Sequence, residues 1–188
     1  MRCGFMGEPV RLFVSVDVSV SEAMRSVVAE IGSIRNVRAS KEDQIHITLS
    51  FLGDTPPERI PGLVANLRES LSGISSFGLS LKGIGAFPNV RRPRVVWIGI
   101  DEGRDELALL ADRVRGAVAK SRLRQDDKPF SPHVTVGRVQ GPADISEAER
   151  KYRGTVFSEF TVGSVRLMRS VLAPSGAKHT VVEDIALL

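Results

Sequence analysis

An α+β protein built mainly on antiparallel strands is predicted by the order of its segments: about seven or eight strand-like stretches, roughly three or four helical ones, and several strands that follow one another through short turns. The chain has 188 residues, of which 42% are hydrophobic. That suits a single domain, or two small lobes that share one core.

The elements follow in order. Val10 to Val18 (VRLFVSVDV) is β-branched and alternating, so it reads as a strand. Ser19 and Glu22 form a capping-box pattern, and Val20, Met24, Val27, Val28 and Ile31 recur at helical spacing up to a break at Gly32. Residues 45–52 (IHITLSFL) form a second strand that Gly53 is expected to end. Thr55, Pro56 and Glu58 then supply an N-cap, an N1 proline and an N3 carboxylate for a helix whose buried stripe is Ile60, Leu63, Val64, Leu67 and Leu71. Residues 77–87 and 94–100 read as a hairpin across a loop containing Pro88, Asn89 and Arg91-Arg92-Pro93. A third helix buries Leu107, Leu110, Val114 and Val118 and gives way to KSRLRQDDKP, a surface loop. The strand HVTVGRV occupies 133–139, and a short polar helix runs from Ile145 to Tyr152. Residues 157–172 and 179–187 close the chain as strands around a turn at Pro174-Ser175-Gly176. The first residues, MRCGF, carry no pattern; they are expected to have no function, with Met6 an alternative start.

A net charge of +4 favours anionic partners such as RNA, because basic surfaces attract phosphates and release counterions. The lone Cys3 excludes an intramolecular disulfide and any CxxC metal site, which suits a reducing cytoplasm. No apolar run approaches the roughly 18 residues of a membrane span, so no membrane partner is expected. No feature favours a dimer, and a monomer is the expectation.

The chemistry is concentrated in an internal similarity. IHITLSFLG at 45–53 and PHVTVGRVQG at 132–141 each place His-apolar-Thr-apolar on a strand. Alternation puts His46, Thr48 and Ser50 on one face and Ile47, Leu49 and Phe51 on the other, and His133 and Thr135 likewise share a face. Two such strands across a groove would offer two imidazoles and two hydroxyls to one phosphate. One histidine can take the proton of an attacking water while the other protonates the departing oxygen, and the hydroxyls can stabilise charge on the non-bridging oxygens. A strained 2',3'-cyclic phosphate suits this set. Only three histidines occur, and two of them sit at matching positions. His179 heads HTV without the second threonine and is expected to be structural or solvent-facing. No HExxH-like spacing is present, so neither a metal nor another cofactor is expected.

RLFVSVDV, HITLSFLGD, GIGAFPNVRRPRVVWIGI and FSPHVTVGRV, in this order, resemble the landmarks of the 2H phosphoesterase superfamily, and within it the RNA 2',3'-cyclic phosphodiesterases first described as 2'-5' RNA ligases. The resemblance spans nearly the whole chain. It implies one bilobal, pseudo-symmetric α+β domain over 1–188, with two mainly antiparallel sheets, helices outside, and one HxT strand per lobe facing a basic groove. It also implies metal-independent hydrolysis of RNA 2',3'-cyclic phosphate ends to 2'-phosphates. His46 would be the acid to the leaving 3'-oxygen and His133 the base for water, with Thr48 and Thr135 on the phosphate. Arg138 matches a phosphate-binding arginine of the family. Strict alternation would aim it away from His133, so a bulge or a strand end at Gly137 would be needed to turn it inward; the alternative is an exposed surface arginine. Phe130 fits the FxPH landmark, either against a base of the RNA or in the core. Where many relatives carry a tryptophan before the first motif, this chain has NVRASKEDQ. The arginine and lysine clusters at 91, 92 and 94 and at 120, 122 and 124 either guide RNA or are simply solvated. ATP-independent 2'-5' ligation, or RNA binding without turnover in the same groove, are the competing functions.

Overall fold

A computed structural model describes residues 8–126, 129–173 and 176–188. The N-terminal MRCGF, Met6, the Asp127-Lys128 part of the expected surface loop and the Pro174-Ser175 part of the last turn lie outside the described residues. The first strand forms at Val10–Asp17 (β1) and is covered on both faces, with Leu12, Phe13, Val14, Ser15 and Val16 all buried. Helix Glu22–Ser33 (α1) is capped by Ser21 rather than Ser19. Ser21 Oγ accepts from Met24 N at 3.1 Å, whereas the Ser19 carbonyl is taken by Ser158 Oγ at 2.7 Å, which holds Ser19 in the connection. A short strand absent from the sequence reading follows at Val37–Ala39 (β2), then a 3-10 turn at Glu42–Gln44.

His46–Thr55 (β3) does not end at Gly53. That residue adopts a φ of +67°, open to glycine without strain, and the strand continues to pair with β1 as far as Thr55 opposite Val10. Two bulges let it do so: Leu49 and Leu52 are extra residues relative to β1. The first bulge inverts the parity read from the sequence. Ser50 turns to the core side opposite Val14, and Phe51 pairs with Phe13 and is 53% exposed. Because Thr55 stays in the strand, the next helix is entered through a 3-10 turn at Pro57–Arg59 and spans Ile60–Leu71 (α2). Its buried stripe is Leu63, Leu67 and Leu71.

The hairpin forms as Phe77–Phe87 (β4) and Val95–Ile100 (β5), followed by Arg104–Lys120 (α3), His133–Val139 (β6) and Ser146–Tyr152 (α4). The last long stretch divides at Gly163 into Val156–Val162 (β7) and Ser164–Ala173 (β8), before Gly176–Ala186 (β9). It divides because the two pieces serve opposite ends of the sheet: β7 pairs with β4, and β8 with β1.

The expectation of two sheets is corrected. Among the described residues the strands form one curled, nine-stranded antiparallel sheet in the order β7-β4-β5-β6-β3-β1-β8-β9, with β2 on the β6 edge. What unites it is one bridge between the two motif strands, Ile47 opposite Val134. Both residues are fully buried and join the core into which α1, α2 and α3 press Met24, Ile31, Leu63, Leu67, Leu107, Leu110 and Val114.

Candidate active site

The bridge at Ile47 and Val134 determines where the motifs point. Directly opposed residues of an antiparallel pair share a face, and here that face is the core. Their neighbours His46, Thr48, His133 and Thr135 therefore all emerge on the other face, and all four are half-buried. With about 3.4 Å per residue along a strand and about 4.8 Å between strands, the two histidine Cα atoms lie diagonally roughly 8 Å apart. Two imidazoles and two hydroxyls thus share a single stretch of that face.

Each imidazole is held from behind. His133 Nδ1 is 2.7 Å from the Ser131 carbonyl oxygen, and since a carbonyl only accepts, Nδ1 carries the proton and Nε2 keeps its lone pair. The ring also meets Phe87 edge to face, 5.1 Å between centroids. His46 stacks on Phe13 at 4.9 Å with 28° between planes and has a backbone hydrogen bond at Gln44.

Both rings resist protonation. Burial is the main cause for His46, reinforced by the neighbouring His179 and by the charge of Arg138, while Gln44 and Asp17 act in the opposite sense; the result is a pKa of about 4. His133 is pushed below its usual value by burial and by Arg138, against the hydrogen bond to Ser131. Both are therefore neutral at pH 7.

Arg138 reaches this face by the predicted kind of irregularity. Thr135 pairs with Trp97 but Gly137 with Val96, so Val136 is an extra residue and the parity beyond it inverts. Arg138, opposite Val95 on β5 and Arg38 on β2, returns to the side of His133. Phe130 is half-buried and packed against the core, and it makes no ring contact with either motif histidine among the described residues. Arg91, Arg92 and Arg94 line an open concavity of about 530 Å³ with Val139, Gly141, Pro142 and Ala143, beyond the end of β6.

Several neighbours were not legible as site residues. Trp97 lies flat across Gly85, where an added Cβ would sit 2.2 Å from the indole, and it packs on Phe87 at 5.4 Å. Asp17, opposite His46, binds Arg166 on β8 at 2.8 Å. His179, expected to be structural or solvent-facing, stands beside His46, 5.6 Å between centroids. Nothing in the local sequence marks these residues, because strand pairing alone brings them here. Among the described residues no group of three His, Cys, Asp or Glu side chains is arranged to hold a metal, and no helix is long and apolar enough to cross a membrane.

Residues 21–173 match the family model described as the 2'-5' RNA ligase superfamily. The chain belongs to that superfamily. Superfamily relatives of similar length include the RNA 2',3'-cyclic phosphodiesterase of Archaeoglobus fulgidus, 40% identical over 89% of this chain and 94% of its own. That of Aquifex aeolicus is 34% identical over 95% of this chain and 97% of its own. Among solved structures, one from Thermus thermophilus superposes with a TM-score of 0.77 at 30% identity, covering 94% of this chain and 97% of the other. Escherichia coli LigT complexed with 3'-AMP gives 0.77 at 27% identity, covering 96% and 99%. The superfamily assignment agrees with the resemblance drawn from the four sequence landmarks.

Proposed function

We propose that this chain is a metal-independent RNA 2',3'-cyclic phosphodiesterase that opens the ring to a 2'-phosphate by acid/base transfer between His46 and His133. The observation that carries the reading is the Ile47–Val134 bridge, which puts both HxT motifs side by side on one face of the sheet. The names borne by the relatives support the same chemistry.

In this mechanism the free Nε2 of His133 takes a proton from water as its oxygen bonds to phosphorus. The bond from phosphorus to the 3'-oxygen breaks, and that oxygen receives a proton from His46. Thr48, Thr135 and Arg138 hold the non-bridging oxygens and stabilise the charge that develops on them. Because His46 is neutral in the free protein, it must acquire its proton as the anionic substrate binds. The two halves of the sheet, β6-β5-β4-β7 and β3-β1-β8-β9, act as pseudo-symmetric lobes of one domain, each offering one motif. We place the protein in the cytoplasm as a monomer.

An RNA oligonucleotide ending in a 2',3'-cyclic phosphate, incubated with EDTA, tests this. Turnover is expected to persist in the chelator and to be lost in both His46→Ala and His133→Ala. Full activity in either variant, or strict dependence on added metal, would defeat the proposal.

A further inference from the structure

Three rings close around the first motif. Phe13 stacks on His46, and His179 meets His46 at 90° and Phe13 at 77°, the latter with 4.9 Å between centroids. His179 belongs to β9, at the far end of the sheet path from β6, yet it arrives here because the β8–β9 hairpin leans against the segment before β3. Gln44 Nε2 donates to the Ala177 carbonyl at 2.6 Å, and the backbone of the same Gln44 makes the hydrogen bond to His46. One residue thus ties the hairpin with its side chain and the imidazole with its main chain.

His179 Nδ1 is shielded from solvent and has no hydrogen-bond partner among the described residues. Burying a bare lone pair costs less than burying an unsatisfied N–H, and far less than burying a charged one. At neutral pH the ring is therefore uncharged, with its proton on Nε2, and meets its neighbours as an aromatic wall; when it is protonated in acid, its charge opposes protonation of His46.

We propose that His179 is a positioning residue for His46, through which the β8–β9 hairpin closes one side of the imidazole, excludes water from it and fixes the direction in which its proton is delivered. The inference rests on the reading of His46 as a proton-transfer group. Burial is the leading cause of His46's low pKa, and His179 together with Phe13 supplies aromatic cover over its ring. The other charged groups around the pair come from different elements. Asp17 on β1 is bound to Arg166 on β8, Arg138 lies on β6, and Asp43 in the turn before β3 acts on His179. None of them is removed with the His179 ring, so the alanine and phenylalanine variants together separate the cover that ring provides from its charge.

The test compares the full chain with its His179→Ala and His179→Phe variants. The His46 titration is followed by NMR, and kcat and KM are measured against pH on a nucleoside 2',3'-cyclic monophosphate. Opening the wall in His179→Ala should move the His46 titration upward from about 4 toward the ordinary histidine value. It should lower kcat by roughly tenfold or more while KM changes by less than about threefold, the pattern of lost transition-state alignment rather than lost binding. His179→Phe restores the wall without an ionisable ring, so it should recover most of kcat and hold the His46 titration below that of His179→Ala, since burial persists although the charge of His179 is gone. An unmoved His46 titration in His179→Ala would overturn the proposal. So would a His179→Phe protein that folds but matches the alanine variant in kcat. If the alanine variant does not fold, His179→Phe is compared with the parent protein: a kcat near that of the parent is expected, and a fall of roughly tenfold or more would overturn the proposal. If the parent protein has no turnover at all, the phosphodiesterase reading fails and the positioning role falls with it, whereas turnover in the parent with an unmoved His46 titration in His179→Ala overturns the positioning role alone.

Discussion

Substrate binding should be accompanied by proton uptake. In the free protein His46 titrates at about 4, so at pH 6.5 it is almost wholly neutral. A cyclic phosphate brings one negative charge into the groove. At about 4 Å and an effective dielectric constant near 20, that charge favours the imidazolium by roughly 4 kcal/mol, equivalent to about three pKa units. His46 would then titrate near 7 in the complex and would gain about 0.8 proton per site at pH 6.5. Calorimetry with a non-hydrolysable 2',3'-cyclic phosphate analogue that stays monoanionic reads this directly: the binding heat should vary with the ionisation enthalpy of the buffer, and His46→Ala should remove most of the dependence. Identical heats in two buffers of very different ionisation enthalpy would refute the argument that the substrate charges its own acid.

Three further outcomes follow from the geometry. Since His46 has a lower pKa folded than unfolded, the unfolded chain binds more protons between pH 6.5 and 4; its contribution to stability is complete above 6.5 and is lost on acidification, about 2–3 kcal/mol by pH 4.5, which urea unfolding of the parent and of His46→Phe should reveal as a difference in pH dependence. Gly85→Ala forces a methyl group into the Trp97 ring and should cost about 1–3 kcal/mol in urea unfolding, with KM raised because Phe87 and the wall beside His133 shift too. Arg138→Ala removes a charge that opposes protonation of both histidines, so the pH profile of kcat/KM should move upward while KM rises roughly 10–100-fold through loss of a charge-assisted hydrogen bond. A profile that does not move would mean that Arg138 does not face the pair.

Local pattern carried much of the fold. Val10–Asp17, the β4–β5 hairpin and the stripe Leu107, Leu110, Val114 and Val118 on α3 are all present, because alternation and helical periodicity are properties of neighbouring residues. The HxT pair was legible for the same reason. Features fixed by partners were harder. The bulges at Leu49 and Leu52 exist only relative to β1, and with them went the facing of Ser50 and Phe51. The irregularity before Arg138 was expected as a bulge or strand end at Gly137 and is a bulge at Val136, inferred from where Arg138 would have to point rather than from local pattern. The choice of Ser21 over Ser19 as cap depends on Ser158, far along the chain. The single bridge that turns two sheets into one joins Ile47 to Val134, residues no different in kind from their neighbours. His179, Phe13 and Trp97 reach the rings around the two motifs by strand order alone; local pattern left His179 as structural or solvent-facing and did not single out the other two.

The central claim, that His46 and His133 converge on one phosphorus atom, is tested most directly by the fate of that atom. Phosphorus NMR of an RNA 2',3'-cyclic phosphate incubated with the protein and EDTA should show the cyclic resonance replaced by that of a 2'-phosphomonoester alone, and neither His46→Ala nor His133→Ala should produce it. A 3'-phosphate, a mixture of the two monoesters, or unchanged conversion in either variant would contradict the account.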